Sequence, residues 1–80
     1  MTKTTWNPAI TVEDETGARQ TVETVGDAQT VLHGNWPDTS GSRYRLAETA
    51  CEEALHGDVE PKEARKAFIA AAIEAHLHLS

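Results

Sequence analysis

The stretch Ile10-Thr11-Val12-Glu13-Asp14-Glu15-Thr16-Gly17-Ala18-Arg19-Gln20-Thr21-Val22-Glu23-Thr24-Val25 decides the fold. Apolar β-branched residues alternate with polar ones on both sides of an acidic turn marked by Gly17. That pattern reads as a β-hairpin. A lone hairpin is marginal in water, so its apolar face must rest on other elements.

Working outward, Gly26-Asp27 ends the hairpin, and Asp27 is placed to cap a short helix over 28–33. Gly34-Asn35 stops that helix, and Trp36-Pro37 marks a boundary, because the residue before a proline is driven out of helical conformation. Asp38 to Ser42 form a loop rich in capping residues. Tyr44, Ala47, Cys51, Ala54 and Leu55 recur at helical spacing, which predicts a second helix from about Ser42 to His56, closed by Gly57. Asp58 is the expected cap of a third helix, with Pro61 tolerated in its first turn. The Ala-rich run beyond it has high helix propensity and continues to about His78. Residues 1–7 and 77–80 read as flexible tails, the second overlapping the end of that helix. The expected fold is α+β in one small domain: a two-stranded antiparallel hairpin followed by three helices, the last two an antiparallel pair. The expected core is Ile10, Val12, Val22, Val25, Val31, Leu32, Trp36, Tyr44, Ala47, Cys51, Leu55, Phe68, Ala71 and Ala72.

Eighty residues carry thirteen acids against seven Lys and Arg, a net charge of -6. A domain of this size buries only about 60% of its unfolded surface, so stability is thin. The single cysteine, Cys51, excludes an intramolecular disulfide and fits a reducing compartment. No apolar run approaches the ~20 residues of a membrane span, and residues 1–6 lack the apolar segment of a secretory signal. The expected setting is cytoplasmic, without membrane partners. The acidic balance argues against a general nucleic-acid binder. It is uneven: residues 1–40 hold six acids and two bases, whereas residues 41–80 hold seven and five.

Trp36-Pro37, Gly41, Tyr44, Ala47, Cys51, Ala54-Leu55-x-Gly57 and Ala64-Arg65-x-Ala67-Phe68-Ile69-x-Ala71-Ala72 together resemble a family of small alphaproteobacterial proteins catalogued as domain of unknown function family 982. The resemblance spans roughly Trp6 to Ala75. It implies a compact free-standing domain of bacterial cytoplasmic origin, and it brings no activity, cofactor or catalytic residue.

No constellation of residues reads as catalytic, cofactor-binding or metal-binding. Cys51 lies mid-helix on the apolar face beside Glu52 and Glu53, which disfavour a thiolate. His76 and His78 are two apart, not the four that a helical metal pair needs, and His33 and His56 have no partner at ligand spacing. Glu13-Asp14-Glu15 and Glu52-Glu53 read as solvated acids, since neither sets two carboxylates face to face. Gly41 is followed by no further glycine of a phosphate loop.

Arg43 and Arg45 are the exception to a bland surface. They stand in the first turn of the second helix, where cations oppose the helix dipole. One reading makes them, with Trp36, a partner- or anion-contacting patch. The other buries Tyr44 and pairs both arginines with acids such as Glu48. Arg65 reads as a structural ion pair tying the third helix to the second. The leading functional expectation is a non-enzymatic interaction or regulatory module, binding itself as a homodimer or another protein. A nucleic-acid-linked regulator presenting Arg43, Arg45, Lys62, Arg65 and Lys66 is the alternative, and a small ligand-binding protein or enzyme the third.

Overall fold

A computed structural model describes residues 5–14, 16–34, 36–37 and 40–79. Glu15 of the acidic turn, Asn35 of the helix stop, and Asp38 and Thr39 of the loop lie outside the described residues. The order of elements is β1 (Thr5–Glu13), β2 (Arg19–Thr24), α1 (Val25–His33), α2 (Ser42–Leu55), α3 (Pro61–Glu74) and β3 (His78–Leu79). The α+β class is as expected, but the hairpin is part of a three-stranded antiparallel sheet in the order β2-β1-β3.

β1 and β2 pair with Ile10 opposite Val22, Val12 opposite Gln20 and Glu13 opposite Arg19. The register shifts between Thr5 and Ile10, in the segment where Pro8 brings no N–H to the ladder. This shift explains why Asn7-Pro8 reads as a turn although the strand runs through it. Thr5 and Trp6, expected in a tail, belong to β1, and Trp6 is buried. Its indole Nε1 donates to the Pro61 carbonyl at 2.9 Å, joining the strand to the start of α3. At the other end of β1, Val12 and Glu13 pair with Leu79 and His78. The expected C-terminal tail is therefore also corrected over residues 77–79, with Leu77 and Leu79 packed on the core, while residues 1–4 and 80 of the two expected tails lie outside the described residues.

The β1–β2 turn is organised by one carboxylate. Asp14 Oδ1 accepts from the Thr16 hydroxyl at 2.6 Å, from Thr16 N at 2.9 Å and from Ala18 N at 3.0 Å. Gly17 supplies the left-handed residue, with φ 85°. The donors that hold the ionised form keep the Asp14 carboxyl below its ordinary range, the Thr16 hydroxyl first among them.

Helix boundaries follow capping chemistry, with two corrections. Asp27 is not the cap of α1. Thr24 takes that place and accepts from Asp27 N at 3.0 Å, while Asp27 Oδ2 accepts from Glu23 N at 3.2 Å. The Thr24 cap starts the helix at Val25 rather than after Asp27, and the Asp27 carboxylate reaches back past the cap to the residue before it. Nor does Asp58 cap α3, whose N-cap is Glu60, followed by Pro61. Asp58 instead completes the end of α2. Gly57 takes φ 84°, Gly57 N donates to Ala54 O at 3.1 Å and Asp58 N to Glu53 O at 2.8 Å. α3 ends at Glu74, four residues before the expected His78. His76 adopts φ 60° there, with His76 N on Ile73 O at 3.1 Å and Leu77 N on Ala72 O at 2.9 Å. A histidine thus fills a left-handed position that glycine usually takes, and the reversal sends the chain back towards β1.

The core joins one sheet face to all three helices. Beyond the expected residues it takes in Trp6, Ala28, Ala54 and Ala64. Two expected members differ: Val31 is half-buried, and Leu55 is 41% exposed. Tyr44, Ala47, Cys51 and Ala54 form the buried stripe of α2, and Leu55 falls one residue, about 100°, beyond it. Tyr44 also donates its hydroxyl to the Leu32 carbonyl at 2.8 Å, which satisfies the end of α1.

His76→Gly should stabilise the chain by about 0.5–1 kcal/mol, because relief of left-handed strain exceeds the freedom glycine adds to the unfolded state. Urea unfolding should give a higher midpoint at unchanged slope. A lower midpoint would mean that the imidazole itself holds the turn.

Candidate interaction surface

The three residues expected to form a patch do not meet on one surface. Trp36 is only 6% exposed, its ring 6.2 Å from Tyr44 and 5.5 Å from Phe68. Its Nε1 is buried and finds no hydrogen-bond partner among the described residues. Arg43 and Arg45 are both exposed, but two residues on a helix are roughly 200° apart around its axis. Glu48, assigned from sequence to the arginines, instead lies 2.9 Å from His33 Nε2. Lys62 and Lys66 pair with Glu60 and Glu63 at 3.1 and 3.9 Å. Arg65 is half-buried on α3 and is not a free cation.

The start of α2 needs an anion, and a distant residue supplies it. Gly41, its N-cap, has no side chain to offer, and no acid stands in the first turn. Glu74 Oε2 accepts from Arg43 N at 3.1 Å and from Tyr44 N at 3.3 Å. Glu74 ends α3, where a carboxylate faces its own helix's negative end. Each helix thus carries a charge that its own dipole disfavours, and the return of α3 towards the start of α2 resolves both. The misplaced acid in the last turn of α3 was the available sequence signal. A Cβ added at Gly41 would overlap the Glu74 carboxylate, so the glycine makes room for this cap.

Beside that junction an open groove of about 420 Å³ follows the α2/α3 seam. Its floor is Ala50, Ala67 and Ala70 with Val59, and Leu46 stands on its wall. Arg43 and Glu53 from α2 and Glu63 and Lys66 from α3 line it as charges of both signs. Leu46 is 56% exposed, and Ile73, one turn beyond Ala70, is 62% exposed.

Elsewhere the opportunities for chemistry are slight. A cavity of about 70 Å³ between Val12, Val31, Trp36 and Leu77 falls well short of the ~300 Å³ at which small-molecule pockets begin. A shallow recess of about 360 Å³ near Thr21, Asp27 and Thr30 is lined chiefly by polar residues on β2 and α1. Cys51 is fully buried, and burial pushes its thiol up to about 11. His33, His56, His76 and His78 are all exposed. Among the described residues no three His, Cys, Asp or Glu side chains are grouped to hold a metal. No helix among them is long and apolar enough to cross a membrane.

The family model described as "Protein of unknown function (DUF982)" matches residues 7–79. No curated protein and no solved structure matches the chain.

Two outcomes follow from the site geometry. Glu74→Ala should cost about 0.5–2 kcal/mol, the usual value of an N-cap. Gly41→Ala should be destabilising in the native chain, because it displaces that cap and puts alanine at an N-cap position, and should cost less in the Glu74→Ala background, where the overlap is gone. A double-mutant cycle by urea unfolding reads this coupling, and equal effects in both backgrounds would contradict it. For Cys51, a thiol that titrates at 9.0 when exposed is held neutral by the fold up to about 11. Its contribution to stability is complete below pH 9 and is lost as pH rises towards 11. Thiol labelling at pH 8 should therefore keep pace with unfolding, and rapid labelling of the folded chain would refute this.

Proposed function

The chain belongs to the DUF982 family, and from that premise we propose that it is a non-enzymatic protein-interaction module docking through the α2/α3 seam. The exposure of Leu46 on the wall of an open groove floored by alanines carries this reading, and Ile73 is exposed one turn beyond the Ala70 of that floor. Two large aliphatic side chains facing water in so small a domain leave apolar area that a partner can bury, at about 25 cal/mol per Å². The alanine floor lets a partner's backbone or bulky side chain approach closely, and the mixed charges at the rim fit the polar border of a protein interface.

The open side of the sheet is a poorer candidate. Arg19, Thr21 and Glu23 of β2 are exposed, and charged or polar edges discourage strand addition. Chemistry has little support either, with Cys51 buried and its thiol kept neutral. A nucleic-acid role is less favoured because Lys62 and Lys66 already have acidic neighbours.

Native mass spectrometry of untagged protein taken from the cells that make it tests the proposal. The expected mass exceeds 8.7 kDa by a protein-sized increment. That increment should vanish with Leu46→Asp and persist with Thr21→Asp on the sheet edge. A bare chain, or a complex indifferent to Leu46→Asp, would overturn the docking reading.

A further inference from the structure

The order of charges along α2 identifies an occupant for the seam. The groove-facing residues of this helix are Arg43, Leu46, Thr49, Ala50 and Glu53. The spacing of 43, 46, 50 and 53 is three, four, three, the spacing of a helix seam that meets another helix. The positions are also symmetric about their midpoint, while charge and size are opposite across it. A second α2 laid antiparallel across the first sets Arg43 against Glu53 and Leu46 against Ala50, twice over. Each contact is complementary: cation to anion, and large side chain to small.

The remaining charges fit the same arrangement. Arg43 and Glu53 have no ion-pair partner among the described residues, whereas Lys66 on the opposite wall pairs with Glu63. Glu48, at the midpoint of the stripe in sequence, is turned away to His33 and puts no like charges on the axis. Thr49, neutral and exposed, lies in the groove there instead. Ten residues separate Arg43 from Glu53, about 15 Å along the helix, so the two pairs bracket the apolar centre.

We infer that the seam is filled by a second copy of this chain, in a two-fold dimer with α2 antiparallel to its counterpart and Arg43 paired with the partner's Glu53. This rests on the reading of the seam as a docking surface and adds the identity of what docks. An isologous contact of this kind closes on itself and leaves no open end for further growth.

The test is charge reversal, read by sedimentation equilibrium and native mass spectrometry of the purified full chain. Wild type should self-associate to twice 8.7 kDa between micromolar and millimolar concentration. Arg43→Glu and Glu53→Arg should each weaken association by about tenfold or more, because each sets two like-charge pairs face to face. The double variant should recover it. An equimolar mixture of the two single variants should also recover it as a heterodimer, since one chain then presents only acids and the other only bases; that recovery itself requires both variants to be folded. Arg43→Glu puts an acid in the first turn of α2 and Glu53→Arg puts a base in its last, and each suits the helix dipole. A wild-type chain that stays at 8.7 kDa throughout overturns the inference. If Leu46→Asp still abolishes a complex with a different protein, the docking reading survives that failure. A dimer broken by Leu46→Asp but indifferent to charge reversal also overturns the inference, because its helices would then pair in another register.

Discussion

Trp6, Phe68, Trp36 and Tyr44 are all the aromatic residues of this chain, and they stand in one line of touching rings. The line starts in β1, crosses α3, passes through the α1–α2 connection and ends in α2. It therefore ties a strand, two helices and the connection between helices into one core. Each tilted or edge-on ring pair contributes about 0.5–1.5 kcal/mol beyond its buried area. Both polar tips that find partners, the Trp6 indole and the Tyr44 hydroxyl, bind backbone carbonyls of neighbouring helices. The alanines at 28, 47, 54, 64, 71 and 72 are the counterpart of this line. Their small side chains let the helices close around rings that a leucine-rich core would hold further apart.

Local patterns were legible in the sequence where the deciding interaction is local. Period-two alternation marked the C-terminal part of β1 and the whole of β2, and Gly57 closed α2 where a left-handed residue was needed. The capping of α1 was misread by three residues, because Thr24 and Asp27 are both good caps, and the Thr24 hydroxyl takes the Asp27 amide while the Asp27 carboxylate turns back to Glu23. Trp6 was missed because Asn7-Pro8 looks like a loop when the strand is read without its partner. β3 is two residues long and has no period to read; only the left-handed His76 and the burial of Leu77 define it.

The functional surface was legible only as an anomaly. Two cations in the first turn of α2 stood out, but sequence offered no way to choose among their partners. The relevant acid, Glu74, lies thirty residues away and becomes a neighbour only when α3 folds back. Trp36 was joined to the arginines by proximity in sequence, yet core packing drew it inside. Leu46 drew no comment because a single exposed leucine is ordinary; only the seam, with its alanine floor, sets it in context.

The position of β1 also bears on the order in which the chain can fold as it is synthesised. This strand emerges early, yet its partners come from both directions: β2 follows at once, while Pro61 and β3 arrive near the other end of the sequence. Until then Trp6, Ile10 and Val12 lack the helices and the third strand that cover them, and one side of the strand is an open template for pairing with other chains. The residues that guard such a segment are already within or beside it. Pro8 withholds a backbone donor, and Glu13 and Asp14 put charge at its end. In the finished molecule these residues look like a flaw in the ladder and an acidic turn; in the nascent chain they are gatekeepers against aggregation.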